Sequence, residues 1–210
     1  MNEILSQLSH GLRRTRDLHM DMVAFLILYG YTNTANHCTA VAAQARVLAE
    51  QFGADPRRAQ AAGWLHDISA ILPVAQRLDT ARQWGLEILP AEEAAPMLLH
   101  QRLSAVIAQD LFNVVDHSVL SAIGCHTTLK AHASLLDKVV FVADKIAWDQ
   151  QGTPPYLLEL SNTLIHSLDK AVLCYLDHLW QRREELAAIH PWFVDAHREL
   201  QQSMGTGSGS

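Results

Sequence analysis

The sequence predicts an all-α fold, because apolar residues recur at helical spacing along most of the chain. Apolar residues make up 49% of the 210 residues and charged residues only 18%, a composition that supports a sizeable core and argues against disorder. No regular alternation of strands and helices is visible, which argues against a Rossmann or TIM-barrel architecture. The length favours one domain, with at most a small extension.

The first four predicted helices are separated by glycine, aspartate and proline. An apolar stripe that includes Val41 and Leu48 has helical spacing and stops at Gly53, a residue type that often follows a helix. Asp55-Pro56 predicts the cap and first turn of the next helix, and Gly85 closes the third. These four helices are expected at about 37–52, 56–67, 73–84 and 97–112.

Capping residues also define the later helices. Asp116 and Ser134 each precede an apolar segment and are expected N-caps. The Gly-Thr-Pro-Pro stretch at 152–155 is a clear break, after which residues 156–188 are expected to form one long helix or two consecutive ones. Pro191 opens the last helix. These helices are expected at 117–123, 135–148, 156–188 and 191–200.

Composition narrows the possible partners. The net charge of −6 argues against a nucleic-acid partner, and no apolar segment approaches the roughly 20 residues of a membrane span. The first residues carry no secretory signal, and Cys38, Cys125 and Cys174 form no CxxC motif, so a cytoplasmic protein is expected. The 12 histidines stand out, because histidine is a common metal ligand and proton carrier.

Four of these histidines and two aspartates occupy comparable positions in the predicted helices. Each lies at a helix end or follows an apolar segment, so each is expected to project from apolar surroundings, where polar groups must be paired or bind a metal. Imidazole and carboxylate ligands suit iron, manganese, cobalt or zinc, and six such residues supply enough donors for two metal ions. The six residues are His37, His66, Asp67, His100, His126 and Asp144.

Three segments resemble a known family. The sequence Ala-Gly-Trp-Leu-His-Asp-Ile around His66, in the order H…HD…D, resembles the HD-domain metal-dependent phosphohydrolases. The segments that contain His100, His126 and Asp144 are similar to the YqeK-like subgroup, and the resemblance covers about residues 20–150. It implies an all-α HD-domain helical bundle, a two-metal site with iron favoured, and symmetrical hydrolysis of diadenosine tetraphosphate to two ADP.

The resemblance also implies a role for each site residue. His66 and Asp67 are expected to be catalytic, and Asp67 is expected to bridge the two metal ions. A metal-activated hydroxide would attack phosphorus, and Lys145 and Thr127 are expected to contact substrate phosphate. The family often has a basic residue shortly before the first histidine and another where this chain has Ala70. The implied ligands are His37, His66, Asp67 and Asp144 for one metal ion, with His100 and His126 for the second.

Two other functions and the domain organisation remain to be considered. The same residues suit a phosphatase or phosphodiesterase for another nucleotide, or a metal-bound domain that senses a nucleotide without turnover. The HD-type domain is expected at 1–150, a C-terminal helical extension packed on it at 151–203, and a flexible tail at 204–210. Trp180 and Trp192 are expected to pack this extension onto the domain, although a homodimer contact is also possible.

Overall fold

The computed structural model describes residues 3–12, 14–15, 17–148 and 150–205, and the regular structure of these residues is entirely helical. The predicted all-α fold is therefore confirmed. Short 3₁₀ turns lie at Ile68–Ile71, Pro96–Leu99 and Arg183–Glu185. The helices are α1 (Glu3–Ser9), α2 (Leu18–Leu28), α3 (Thr32–Phe52), α4 (Pro56–Leu65), α5 (Val74–Gln83), α6 (Pro90–Ala94), α7 (His100–Asp110), α8 (His117–Cys125), α9 (Leu135–Ile146), α10 (Leu157–Leu164), α11 (Leu168–Gln181) and α12 (Pro191–Gly205).

Helix α3 forms the centre of the bundle and packs on both α4 and α9. Val41, Ala45 and Leu48 are buried, as the apolar stripe predicts. Helix α4 approaches α3 closely at Gly63, where a Cβ atom would lie only 2.5 Å from Cα of Ala42. This close packing holds the end of α4, and the residues after it, against α3.

Capping groups set most of the observed helix ends. Gly53 adopts a left-handed conformation with φ 81°, and the Asp55 carboxylate accepts hydrogen bonds from the first N–H groups of α4. Asp116 caps α8 in the same way. Ser134 and Asp137 form a reciprocal capping box at the start of α9. These interactions explain why the end of α3 and the boundaries of α4, α8 and α9 lie within two residues of the prediction, whereas α3 begins at Thr32, five residues before its expected start.

Other predicted segments differ from the observed ones mainly at their ends. The segment 97–112 begins with a 3₁₀ turn, and the α-helix starts only at His100. Of the two alternatives for residues 156–188, the structure has two consecutive helices: the hydroxyl of Ser167 accepts a hydrogen bond from Lys170 N–H and starts α11, which ends at Gln181. Of the predicted tail 204–210, Met204 and Gly205 belong to α12, and residues 206–210 lie outside the described residues.

The C-terminal helices pack onto the rest of the molecule in sequence, α11 on α9 and α12 on α11. Trp180 stacks on His197 with ring centroids 5.1 Å apart, and the Arg102 guanidinium lies 5.8 Å from the ring centroid of Trp192. Both tryptophans therefore make packing contacts within the chain. In the part of the chain that the structure describes, no helix has the length and apolar character needed to cross a membrane.

Candidate metal centre

The six predicted site residues come from five helices whose ends or inner faces meet at one point. They are called the six-residue cluster below. His66 and His126 directly follow α4 and α8, and His100 is the first residue of α7. His37 lies in α3 and Asp144 in α9. Asp67 follows His66 where α4 has ended, and this break in the helix lets two adjacent side chains face the same centre.

Three of the histidines are oriented by the same local hydrogen bond. The Nδ1 atoms of His66, His100 and His126 lie 2.8, 2.7 and 2.8 Å from the carbonyl oxygen three residues earlier. A carbonyl can only accept, so Nδ1 carries the proton and donates it. Each Nε2 atom is therefore directed toward the cluster, which is how metal-binding histidines are commonly held.

The cluster contains two triads that share Asp67. One is His37, His66 and Asp67, and the other is Asp67, His100 and His126; the potential ligand atoms of each triad lie within 4.8 Å of one another. The two oxygens of Asp67 face different triads, since Oδ2 lies 3.7 Å from His66 Nε2 and Oδ1 lies 3.5 Å from both His100 Nε2 and His126 Nε2. This is the arrangement expected of a bridging carboxylate.

Asp144 completes the side of the cluster that contains His37. Its Oδ1 atom lies 3.2 Å from His37 Nε2 and 3.5 Å from His66 Nε2. Its Oδ2 atom accepts a 2.5 Å hydrogen bond from the ammonium group of Lys145. Lys145 also donates to the carbonyl of His126 at 3.3 Å, and the residue is only 8% exposed. The lysine therefore fixes the outer oxygen of Asp144, and its predicted contact with substrate stays a prediction.

The electrostatics of the cluster favour bound cations. Partial burial alone would raise the pKa of Asp67, but the charge of His66 and a hydrogen bond from His126 hold it far below its usual range. Burial would also raise the pKa of Asp144, yet the Lys145 ammonium and the two neighbouring histidines keep it well below the ordinary value. Both carboxylates are thus charged at neutral pH, as metal ligands must be.

The histidines divide into two groups. Burial lowers the pKa of His100 to about 4, although Asp67 opposes this shift, and it lowers the pKa of His126 as well. Their Nε2 lone pairs are therefore available at neutral pH. Burial would lower the pKa of His66 too, but Asp67 and Cys38 raise it well above the usual value. His66 thus places a proton where the two carboxylates attract positive charge, and a metal ion would replace that proton.

The donor set fits divalent first-row metals. Every group directed into the cluster is an imidazole nitrogen or a carboxylate oxygen, and this mixture suits iron, manganese, cobalt or zinc better than magnesium or calcium. The six-residue cluster could therefore hold a metal ion. All six residues that the sequence singled out are brought together, whereas other histidines such as His166 and His117 lie outside the cluster.

Polar groups line the approach to the cluster. The Thr127 hydroxyl lies 2.9 Å from His100 Nε2. A cavity of about 290 Å³ opens beside His37, Asp67 and Asp144, and Trp148, Tyr156 and Tyr175 form part of its wall. Sequence reasoning missed Tyr156 and Tyr175, because Tyr156 lies just before α10 and Tyr175 lies on α11, both outside the motif segments.

Arg77 is a second residue that sequence reasoning missed. Its guanidinium donates to the carbonyl of Met97 at 3.0 Å, and this carbonyl also accepts the Nδ1 proton of His100. Arg77 therefore lies one carbonyl away from a site histidine, and its charge acts on both Asp67 and His100. It brings positive charge to a site that lacks the basic residue often found at the position of Ala70. No local motif marks it, because it lies on α5, ten residues after Asp67.

The fold and the site define a class of protein. The model of the HD domain family matches residues 34–149, which is more than half of the chain, and all six residues of the cluster fall within this segment. The chain belongs to the HD domain family, and the resemblance that the sequence motifs indicate is confirmed. By family, it is an HD-domain phosphohydrolase.

Individual relatives agree with this assignment. A Lactococcus lactis subsp. cremoris protein, described as an uncharacterized protein in the pepC 5′ region, is 38% identical over 143 residues, or 68% of this chain and 72% of that protein. The symmetrical bis(5′-nucleosyl)-tetraphosphatase of Bacillus subtilis is 34% identical over 112 residues, or 52% of this chain and 59% of that enzyme. The Staphylococcus aureus protein of the same name is 31% identical over 113 residues, with 53% and 57% covered. The chain thus spans less than two thirds of these two tetraphosphatases.

A solved structure shows the same fold. The crystal structure described as a predicted HD superfamily hydrolase involved in NAD metabolism, from Clostridium acetobutylicum, superimposes with a TM-score of 0.81 at 24% sequence identity. The superposition covers 88% of this chain and 97% of that one, so it extends beyond the segment matched by the family model.

Proposed function

We propose that this protein hydrolyses diadenosine tetraphosphate symmetrically to two ADP, with two divalent metal ions held by the six-residue cluster and iron favoured. The observation that carries the proposal is the position of Asp67 between two triads of potential ligands. The similarity to tetraphosphatases from Bacillus subtilis and Staphylococcus aureus supports the choice of substrate.

The reaction joins one water molecule to the substrate. The water oxygen adds to one of the two central phosphorus atoms, and the bond from that phosphorus to the central bridging oxygen breaks, so that two ADP result. When bound, the metal ions supply a water of lowered pKa and neutralise charge on the phosphoryl oxygens. The negative net charge of the chain does not oppose this chemistry, because the local field at such a site is dominated by the ions.

Three residues of the chain are proposed to bind and orient the phosphates. Arg77 lies beside His100, and Thr127 presents its hydroxyl to the same histidine. Lys145 lines the cavity beside Asp144, and its two observed hydrogen bonds leave one of three N–H groups for a phosphoryl oxygen. Arg77 and Thr127 lie on the His100 side of the cluster and Lys145 lies on the Asp144 side, so together they can contact successive phosphates of a linear polyphosphate.

The test is hydrolysis by protein reconstituted with Fe²⁺ in the absence of oxygen, or with Mn²⁺. We expect ADP as the only nucleotide product from diadenosine tetraphosphate, and in ¹⁸O-water we expect one labelled β-phosphate for every two ADP. Formation of ATP and AMP would show asymmetric cleavage and contradict the proposal. Turnover of only a nucleoside monophosphate or a cyclic nucleotide would instead identify a phosphatase or phosphodiesterase. Tight nucleotide binding without any turnover would identify a sensor.

A further inference from the structure

A second cavity lies next to the six-residue cluster and differs from the polar one in its walls. It encloses about 230 Å³ and is lined mainly by apolar side chains. Met97 and Leu98 form the wall nearest α7, and the opposite wall comes from the C-terminal part of the chain, with Leu179, Leu186 and Phe193. The opposite wall therefore belongs to the part of the chain that the family model does not match.

Two residues of the cavity wall contact the cluster residue His100. Thr127 lines the cavity, and its hydroxyl lies 2.9 Å from His100 Nε2. Met97 also lines it, and the Met97 carbonyl accepts the Nδ1 proton of His100 at 2.7 Å. A ligand whose phosphate reaches the cluster on the His100 side can therefore extend its adjoining part toward this cavity.

We propose that the cavity is the subsite for one nucleobase of the substrate. This subsite rests on the proposed function, because that function is what makes the ligand a nucleotide. The volume lies below the roughly 300–1,000 Å³ of pockets that hold a whole drug-sized ligand, which suits one planar heterocycle. Charged phosphates do not fit, because the lining includes no Asp, Glu, Lys or Arg side chain. Phe193 and Tyr175 supply aromatic surface for contact with a base.

Thr128 and His190 in the cavity wall offer a ligand little hydrogen-bonding capacity, which predicts weak selection among bases. The Thr128 hydroxyl is hydrogen-bonded to the Leu129 carbonyl and to Gln101. Nδ1 of His190 accepts the backbone N–H of Trp192, and the buried Nε2 of His190 lies 3.7 Å from a Glu92 carboxylate oxygen, too far for a hydrogen bond. The subsite therefore recognises shape and apolar surface. An apolar pocket of this kind discriminates poorly between ligands that differ in polar substituents.

The experiment compares two probes on the Mn²⁺-loaded protein by isothermal titration calorimetry: ADP, which has a base, and inorganic pyrophosphate, which has none. The variants Leu179→Ala and Leu186→Ala shorten the cavity wall, and we expect each to weaken ADP binding about tenfold. Pyrophosphate binding should not change. Leu173→Ala is the matched control, because Leu173 is also a partly buried leucine on α11 but does not line the cavity.

Several results would overturn the subsite. These are an equal loss of ADP and pyrophosphate affinity in the cavity variants, an equal effect of Leu173→Ala, or a wild-type protein that binds ADP no tighter than pyrophosphate. A preference of more than a hundredfold between ADP and GDP would overturn recognition by shape alone. Binding needs no turnover, so a cavity effect on ADP without cleavage of diadenosine tetraphosphate upholds the subsite while the proposed substrate fails.

Discussion

At the scale of single residues, Asp67 has the greatest influence on the six-residue cluster because it belongs to both triads. We predict that Asp67→Ala loses both metal ions, whereas His37→Ala and His100→Ala each lose one. Metal analysis of the purified variants measures this as about two ions per wild-type chain, one in each histidine variant and none in Asp67→Ala.

The control for this series is His166→Ala, which removes an exposed histidine outside the cluster and should leave the metal content unchanged. Circular dichroism establishes that each variant is folded. If Asp67→Ala kept one ion while remaining folded, the carboxylate would belong to a single triad and the bridging role would be wrong.

Arg77 carries the second residue-scale prediction. Arg77→Ala should raise KM for diadenosine tetraphosphate by about 10- to 100-fold, because a hydrogen bond to a charged group contributes about 1.5–3 kcal/mol. The metal content should stay the same, since the guanidinium contacts carbonyl oxygens rather than the cluster ligands. Steady-state kinetics and metal analysis on the same preparation measure both quantities.

Arg82→Ala is the matched control for Arg77, because Arg82 lies on the same helix but pairs with Asp79 and Glu93 at the surface. Its kinetic constants should equal those of the wild type. A normal KM in Arg77→Ala would remove Arg77 from the phosphate site and leave Thr127 and Lys145 as the remaining proposed contacts.

These residues illustrate what the sequence reveals about a site and what it does not. The six cluster residues are recognisable because each lies in a short segment with a characteristic flank, as in Trp64-Leu65-His66-Asp67. Arg77 and Tyr175 have no such flank, and only the packing of α5 and α11 brings them to the site. Their roles depend on tertiary structure, which a local pattern does not encode.

At the scale of helices, the close approach of α3 and α4 sets the position of His66. Gly63→Ala should destabilise the fold by about 1–3 kcal/mol, because the added Cβ would meet the α3 backbone at 2.5 Å. Gly124→Ala is the matched control, because Gly124 is also a helical glycine just before a cluster histidine. Its nearest neighbour is a side-chain atom at 3.7 Å, so alanine should stabilise by about 0.5–1 kcal/mol. Urea unfolding measures both, and equal effects would contradict the close approach.

The Glu92 side chain on α6 connects this helix to Arg102 on α7 and to His190, the residue before α12. It is fully buried, accepts a 2.8 Å hydrogen bond from Arg102 and lies 3.7 Å from His190. Burial would raise its pKa, but His190, the Leu89 N–H and Arg102 together lower it below the ordinary value. A lowered pKa means that this carboxylate stabilises the fold above its unfolded pKa of about 4.3, and that the stabilisation is lost as the pH falls below that value.

We therefore predict that Glu92→Gln lowers the free energy of unfolding by about 1–3 kcal/mol at pH 7, and by less at pH 3.5. Urea unfolding at the two pH values gives the comparison. Glu93→Gln, at an exposed neighbouring position paired with Arg82 at the surface, should show little effect at either pH. A loss in Glu92→Gln that is the same at both pH values would mean that the charge of Glu92 does not stabilise the fold.

Helix boundaries were predictable where a capping side chain sets them and less so elsewhere. Asp55, Asp116 and Ser134 are caps in the structure as the sequence predicts. The start of α11 at Ser167 was missed, because the apolar pattern continues from 156 to 188 without a glycine or proline. Helix α6 was not anticipated because it has only five residues, too few for a periodic pattern.

At the scale of the whole molecule, the fold brings together groups that repel one another or are costly to bury unless a cation is present. Two charged carboxylates and four histidines meet in the interior, and a metal ion bound only by the folded state stabilises that state. The cluster draws on five helices, so this stabilisation reaches most of the bundle. Metal binding should therefore be visible in the stability of the entire fold.

We predict that removing metal with a chelator lowers Tm by roughly 8–16 °C. Metal at 1,000 times its Kd contributes about 4 kcal/mol, and each kcal/mol changes Tm by about 2–4 °C in a chain of this size. Differential scanning calorimetry should show recovery with Mn²⁺ or Fe²⁺ but not with Mg²⁺, because imidazole ligands favour the former ions. Asp67→Ala should not respond to chelator or metal, which separates specific binding from general ion effects. An unchanged Tm in chelator-treated wild type, with metal loss verified, would contradict a metal centre coupled to the fold.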